Sequence, residues 1–156
     1  MDATVYEEIM ALIEAADVEY RRVTHDKAVT SQDTAQLTGF KIEHGAKSIL
    51  FKTRQGFKLV IVRGDNMADF KKLRSHFGTN KIRMATVDEV LDVMRVPVGA
   101  CYPFGEIAGV DMIVDHTLAE NDSIHFSPGT HYDHITMSFD DYKKVVKPTL
   151  VDIALN

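Results

Sequence analysis

The chain has 156 residues, 45% of them hydrophobic and 26% charged, enough for one domain with a real core and of ordinary globular composition, which sets aside disordered and fibrous classes. No apolar run approaches the ~18 residues of a membrane span, and Met1–Glu8 lacks the basic start and apolar stretch of a secretory signal, so a cytoplasmic protein without a membrane partner is expected. The single cysteine, Cys101, excludes an internal disulfide and CxxC metal or redox motifs, and a net charge of −5 argues, taken globally, against a nucleic-acid partner, DNA included.

Residues 4–16 place Val5, Ile9, Leu12, Ile13 and Ala16 at helical spacing, and Asp2 fits an N-cap. An alternating run over 18–23 reads as a short strand ending at His25-Asp26-Lys27. Thr30 and Asp33 form a capping pattern for a second helix, closed by Gly39. Two apolar strands, 48–53 and 58–63, flank an Arg54-Gln55-Gly56 turn and predict a buried hairpin. Phe70, Leu73 and Phe77 predict a helix over 67–77, and Thr86-Val87-Asp88-Glu89 is a capping box for another through about Met94. After the loop 98–105, strands are expected near 110–115, 123–126 and 133–137, then a helix over 139–147, capped by Ser138 and stopped by Pro148. Helices interleaved with strands, without a linker or repeat, predict a single α/β (α+β) domain over residues 1–156, built around one mixed sheet.

Charge is unevenly spread. Between Lys41 and Met84 eleven basic residues face three acidic ones, a segment of +8 on a remainder of −13. Such a segment could be a phosphate-facing surface or merely solvated helix and strand faces, and charge counting alone favours the second. A P-loop, a GxGxxG turn, an HExxH helix and a GxSxG elbow are all missing. His125, His131 and His134 with Asp133 invite a metal, yet on a strand His134 points opposite Asp133, so no metal site is expected. Cys101, in a Gly/Pro-bounded loop with histidines available as base, is a candidate nucleophile, although a lone cysteine is more often packing. Lys47 begins the most apolar strand, where its ammonium must snorkel or find a pocket partner. Gly99 and Pro103 bound a loop whose amides could receive a carbonyl or phosphate oxygen, or simply make a tight connection.

Three segments in order, His25–Ala35, Gly45–Lys52 and Gly99–Gly105, together resemble the YbaK/prolyl-tRNA synthetase editing-domain family over roughly residues 18–147. That resemblance implies hydrolysis of mischarged aminoacyl-tRNA on a curved mixed sheet flanked by helices, with a ribose hydroxyl of the tRNA helping to activate water and no metal or cofactor required. Carried over by position, Lys47 would engage the acceptor end, and Gly99 and Pro103 would frame the loop that holds the aminoacyl carbonyl, with Ala100, Cys101 and Phe104 around it. His25 and Thr30 would line the amino-acid side, with Gly129 and His131 aligned more loosely. The implied partner is the acceptor end of tRNA, tRNA-Pro first, with an aminoacyl-tRNA synthetase as a further candidate. A non-catalytic module binding an aminoacyl end or nucleotide is the alternative function, and a cysteine hydrolase the third.

Overall fold

In the computed structural model, which describes residues 3–156, helix α1 (Val5–Ala15) is opened by Thr4, whose hydroxyl accepts the Glu7 N–H at 3.1 Å while the Glu7 carboxylate accepts the Thr4 N–H. Asp2, the expected cap, lies outside the described residues; a threonine three positions before a glutamate fills the role. Strand β1 (Arg21–Thr24) is followed by α2 (Ser31–Thr38), capped by Thr30 and Asp33 as the sequence pattern predicts. The hairpin β2 (Ala46–Thr53) and β3 (Gly56–Arg63) extends two residues further at its open end and at its turn than the apolar runs suggest. Then come α3 (Phe70–Phe77), β4 (Ile82–Met84), α4 (Val87–Met94), α5 (Gly105–Ala108), β5 (Asp111–Asp115), β6 (Ser123–Phe126), β7 (Asp133–Ser138), α6 (Phe139–Val146) and β8 (Thr149–Val151). None of these helices is long and apolar enough to cross a membrane among the described residues.

The strands form two sheets rather than the one expected. A mixed five-stranded sheet runs β4-β2-β3-β5-β8, its first three strands antiparallel and its last two joined in parallel. A wholly antiparallel sheet, β1-β7-β6, meets it at the Gly45–His125 bridge. Strand pairing across distant segments carries no local sequence signal, which is why the second sheet was not legible.

Leu59, Val60, Ile61 and Val62 of β3 are all fully buried. Because successive side chains point to opposite faces, Leu59 and Ile61 join α1, α4 and α6 in the larger core, while Val60 and Val62 join Phe51, Leu73 and Ile153 in a second. Each such side chain stabilises by ~1.5–3 kcal/mol, so β2, paired to β3 along its whole length, is a rigid platform. On its other side, β4 pairs only with Phe51–Thr53, and the Leu50 carbonyl accepts the Ala85 N–H. Nearer its start β2 has only the Gly45–His125 bridge beside it. A cleft opens there, between the two sheets.

Candidate active site

The cleft encloses about 630 Å³, within the range that holds a small-molecule ligand. Lys47 from β2, Thr30 at the start of α2, and Gly99 and Cys101 from the loop before α5 all line it. Lys47 is half-buried, and its ammonium donates to the Asn66 carbonyl in the turn after β3. Burial pulls its pKa below the usual lysine range, opposed by the nearby Asp65 carboxylate. A lysine ammonium has three N–H donors, so two remain for a ligand.

Opposite β2, the Val98–Phe104 loop is held from behind. Tyr102 donates to the Met94 carbonyl at 2.8 Å and Tyr142 to the Pro103 carbonyl at 2.7 Å, while Ser127, whose hydroxyl donates to the Thr130 carbonyl at 2.8 Å, lies 3.4 Å from the Ala100 carbonyl. Gly99 has φ +91°, and a Cβ there would stand 2.7 Å from both Cγ1 and the carbonyl oxygen of Val29, so only glycine lets the loop approach the chain before α2. Among the described residues, the N–H groups of Gly99 and Cys101 donate to no protein acceptor. Two free amides on a braced loop can receive a developing oxyanion.

The inner wall carries histidines that the metal reading had grouped otherwise. His134 lines the cleft, and its Nδ1 is 2.9 Å from His25 Nε2. Burial, then the neighbouring His125 and His25, push its pKa down to about 3, so it is neutral at physiological pH. His125 also lines the cleft; its Nε2 bonds the Lys41 carbonyl at 3.0 Å, and burial lowers its pKa. Asp133 faces away, accepting from Thr24 and Thr130. Cys101 is buried enough that its pKa rises to about 11. It stays a thiol at neutral pH, and no histidine bonds it among the described residues, which leaves a thiolate nucleophile without support.

Several residues expected to touch substrate stand behind the cleft instead. Phe104 and Ala100 are fully buried in the larger core, Phe104 edge-on to Phe126 and Tyr142. Pro103 is buried and does not line the cleft; its contribution is to fix the loop. Gly129, at φ +94°, makes room for Val5 of α1. His131 reaches the Val98 carbonyl at 2.9 Å and braces the loop. His25 reaches the cleft only through His134. Motif spacing identifies the loop but cannot say which of its side chains turn inward. The lining residues that the sequence reading missed, such as Val29, Ser127, Met67 and Phe70, come from three separate segments and carry no shared motif.

The model of the aminoacyl-tRNA editing domain matches residues 25–145. The chain belongs to the aminoacyl-tRNA editing domain family. It is 23% identical over 153 residues to the prolyl-tRNA editing protein ProX of Acetoanaerobium sticklandii, covering 94% of this chain and 93% of that one. It is 25% identical over 155 residues to the multifunctional Ser/Thr-tRNA deacylase ProXp-y of Escherichia coli K12, covering 96% and 93%. Against the proline-tRNA ligase of Thermosipho melanesiensis it is 33% identical over 100 residues, 64% of this chain but 18% of the ligase. The fold is shared with the solved structure of the hypothetical protein APE2540, with a TM-score of 0.85 at 19% identity over 95% of this chain and 99% of that one. The editing-domain match begins at His25 and so includes both walls of the cleft.

Proposed function

We propose that residues 1–156 form one editing domain that acts in trans as an aminoacyl-tRNA deacylase, hydrolysing the ester of a small, mischarged amino acid, tRNA-Pro being the first candidate carrier. The observation that carries this reading is that Lys47 lines one cleft together with Gly99 and Cys101, whose N–H groups have no protein acceptor among the described residues. The names of two relatives, a prolyl-tRNA editing protein and a Ser/Thr-tRNA deacylase, support the substrate class. An aminoacyl ester is already activated, so positioning and oxyanion stabilisation supply most of what its hydrolysis needs. Water adds to the ester carbonyl, whose oxygen takes negative charge against the loop amides. The bond from carbonyl carbon to ribose oxygen then breaks, and a proton passes to that oxygen, releasing free amino acid and uncharged tRNA. Lys47 holds a phosphate or ester oxygen of the acceptor end.

The test is a deacylation panel on tRNA-Pro charged with Ala, Ser, Thr, Cys and Pro, with Lys47→Met in parallel. Loss of the charged donor at constant stem length should slow hydrolysis of the preferred ester ~100-fold or more, with the melting temperature retained. Equal rates in both proteins would remove Lys47 from the reaction, and binding without turnover in the wild type would make this a binding module.

A further inference from the structure

The turn that follows β3 is built more firmly than a surface connection requires. Arg63 clasps Asp65 with two bonds, Nε to Oδ1 at 3.0 Å and Nη2 to Oδ2 at 2.8 Å. The Asn66 N–H closes the turn on the Arg63 carbonyl at 3.0 Å, and the Asn66 side chain accepts the Met67 N–H at 2.8 Å. The Gly64 N–H ties the start of the turn to the Gly45 carbonyl at 2.9 Å, just before β2. At its far end the Met67 carbonyl accepts the Leu155 N–H at 2.8 Å, and the Asp69 N–H bonds the Ile153 carbonyl at 2.8 Å. The turn is therefore fixed from both sides, and with it the Asn66 carbonyl that receives the Lys47 ammonium.

We propose that the Arg63–Met67 turn is the positioning device for Lys47, in which the Asn66 carbonyl aims the ammonium into the cleft and Asp65, held by Arg63, supplies its compensating charge. The inference rests on the deacylase reading of the cleft. A lysine has a flexible four-carbon stem, and a point charge on such a stem is useful only if something restricts it. One fixed acceptor does so here while leaving two donors for an incoming oxygen. Half-burial works against the charged form, and Asp65 works for it. The other titratable groups around this end of β2 are Arg63, turned to Asp65 and Glu120, Glu43 and His44 in the turn before the strand, and His125 across the Gly45 bridge. Asp65, Arg63 and Asn66 are positioning residues; none is required to touch the reacting ester.

The experiment titrates Lys47 directly, by NMR of the 13C-labelled lysine side chains, with its signal assigned from the loss in Lys47→Met, alongside deacylation rates. Asp65→Asn should lower the Lys47 titration midpoint by about one pH unit and kcat/KM by about tenfold. Asp65→Glu should recover most of both. Arg63→Gln, which removes a neighbouring cation and leaves the carboxylate in place, should not lower the midpoint, and should reduce kcat/KM only by loosening the turn. An unchanged midpoint in folded Asp65→Asn overturns the proposal, whatever the activity. Should the wild type prove inactive, the midpoint still reports on the turn, so failure of the deacylase reading and failure of the positioning device are distinct results. Should Asp65→Asn not fold, Asp65→Ser, also neutral and smaller, decides on its own shift.

Discussion

Replacing Gly99 by alanine should damage both stability and turnover, and the size of each effect follows from two separable causes. The backbone at φ +91° costs an L-residue ~1–2 kcal/mol. The new Cβ would stand 2.7 Å from Val29 Cγ1 and from the Val29 carbonyl oxygen, and such overpacking costs ~1–3 kcal/mol where neighbours cannot retreat. The carbonyl is main chain and cannot swing aside. Together the terms give a loss of ~2–5 kcal/mol if the loop holds its place. Gly39→Ala supplies the control: its φ is +76°, but nothing lies within 4 Å of the added Cβ, so only the dihedral cost of ~1–2 kcal/mol applies. Urea denaturation of the two variants measures the difference as a change in midpoint at constant m. Deacylation should be nearly intact in Gly39→Ala. In Gly99→Ala it should fall ~100-fold, since displacing the Gly99 and Cys101 amides by about 1 Å spoils the oxyanion contact. The double variant Gly99→Ala/Val29→Ala should recover part of the stability by removing Cγ1, and not all, because the carbonyl remains. Equal losses in Gly39→Ala and Gly99→Ala, or a wild-type rate in Gly99→Ala, would refute the role assigned to the loop.

Cys101→Ala should keep turnover within about threefold of wild type, because a thiol with a pKa of about 11 is not a nucleophile at neutral pH. Complete loss of hydrolysis would instead make the sulfur catalytic. The second expectation concerns acid. His134 has its pKa lowered by burial from 6.5 to about 3, so between those values the unfolded chain binds the proton that the folded chain refuses. Its contribution to stability is therefore complete above about pH 6.5 and is lost as pH falls toward 3, at up to ~1.4 kcal/mol per pH unit. His134→Gln should flatten the melting temperature against pH across that window, leaving the shallower slope due to His125, whose pKa is also lowered. Superimposable profiles would show that His134 titrates normally in the folded protein.

The elements with strong local rules were legible in the sequence. Thr30 with Asp33, Thr86 with Glu89 and Ser138 cap the helices that their spacing announces, since a capping box needs residues only three positions apart. The hairpin was legible from its apolar runs. What could not be read is short or distant. β4 and β8 are three residues each and α5 only four, too short for periodicity, and β8 finds its place by lying parallel to β5 more than thirty residues earlier in the chain. The same distinction holds for the site. Lys47 stood out because an ammonium at the head of an apolar strand demands a partner, yet nothing local identifies that partner as the carbonyl of Asn66. His25 and His131 attract notice as chemistry, whereas the structure uses His131 as a brace on the loop and gives the cleft wall to His125 and His134.

The basic segment shows why a charge count along the chain overstates a binding surface. Of its eleven cations, Lys58, Arg63, Lys72 and Arg83 are engaged by Asp111, Asp65, Asp152 and Glu89, and three of those four acids come from outside the segment. Lys47 is committed to the cleft. Lys41, Lys52, Arg54, Lys71, Arg74 and Lys81 have no ion pair among the described residues; of these, Lys71 and Arg74 on α3 and Lys81 before β4 belong to the part of the chain whose Phe70 and Met84 line the cleft. An acceptor stem entering past α3 would therefore meet about three free cations, which corresponds to a slope of log affinity against log salt of about −2 to −3. So few phosphate contacts would hold a tRNA weakly and without regard to its sequence. Selection would then come from the cleft itself, where one methylene changes transition-state binding by only ~1–3 kcal/mol and a rigid wall, anchored on β3, would make that difference count.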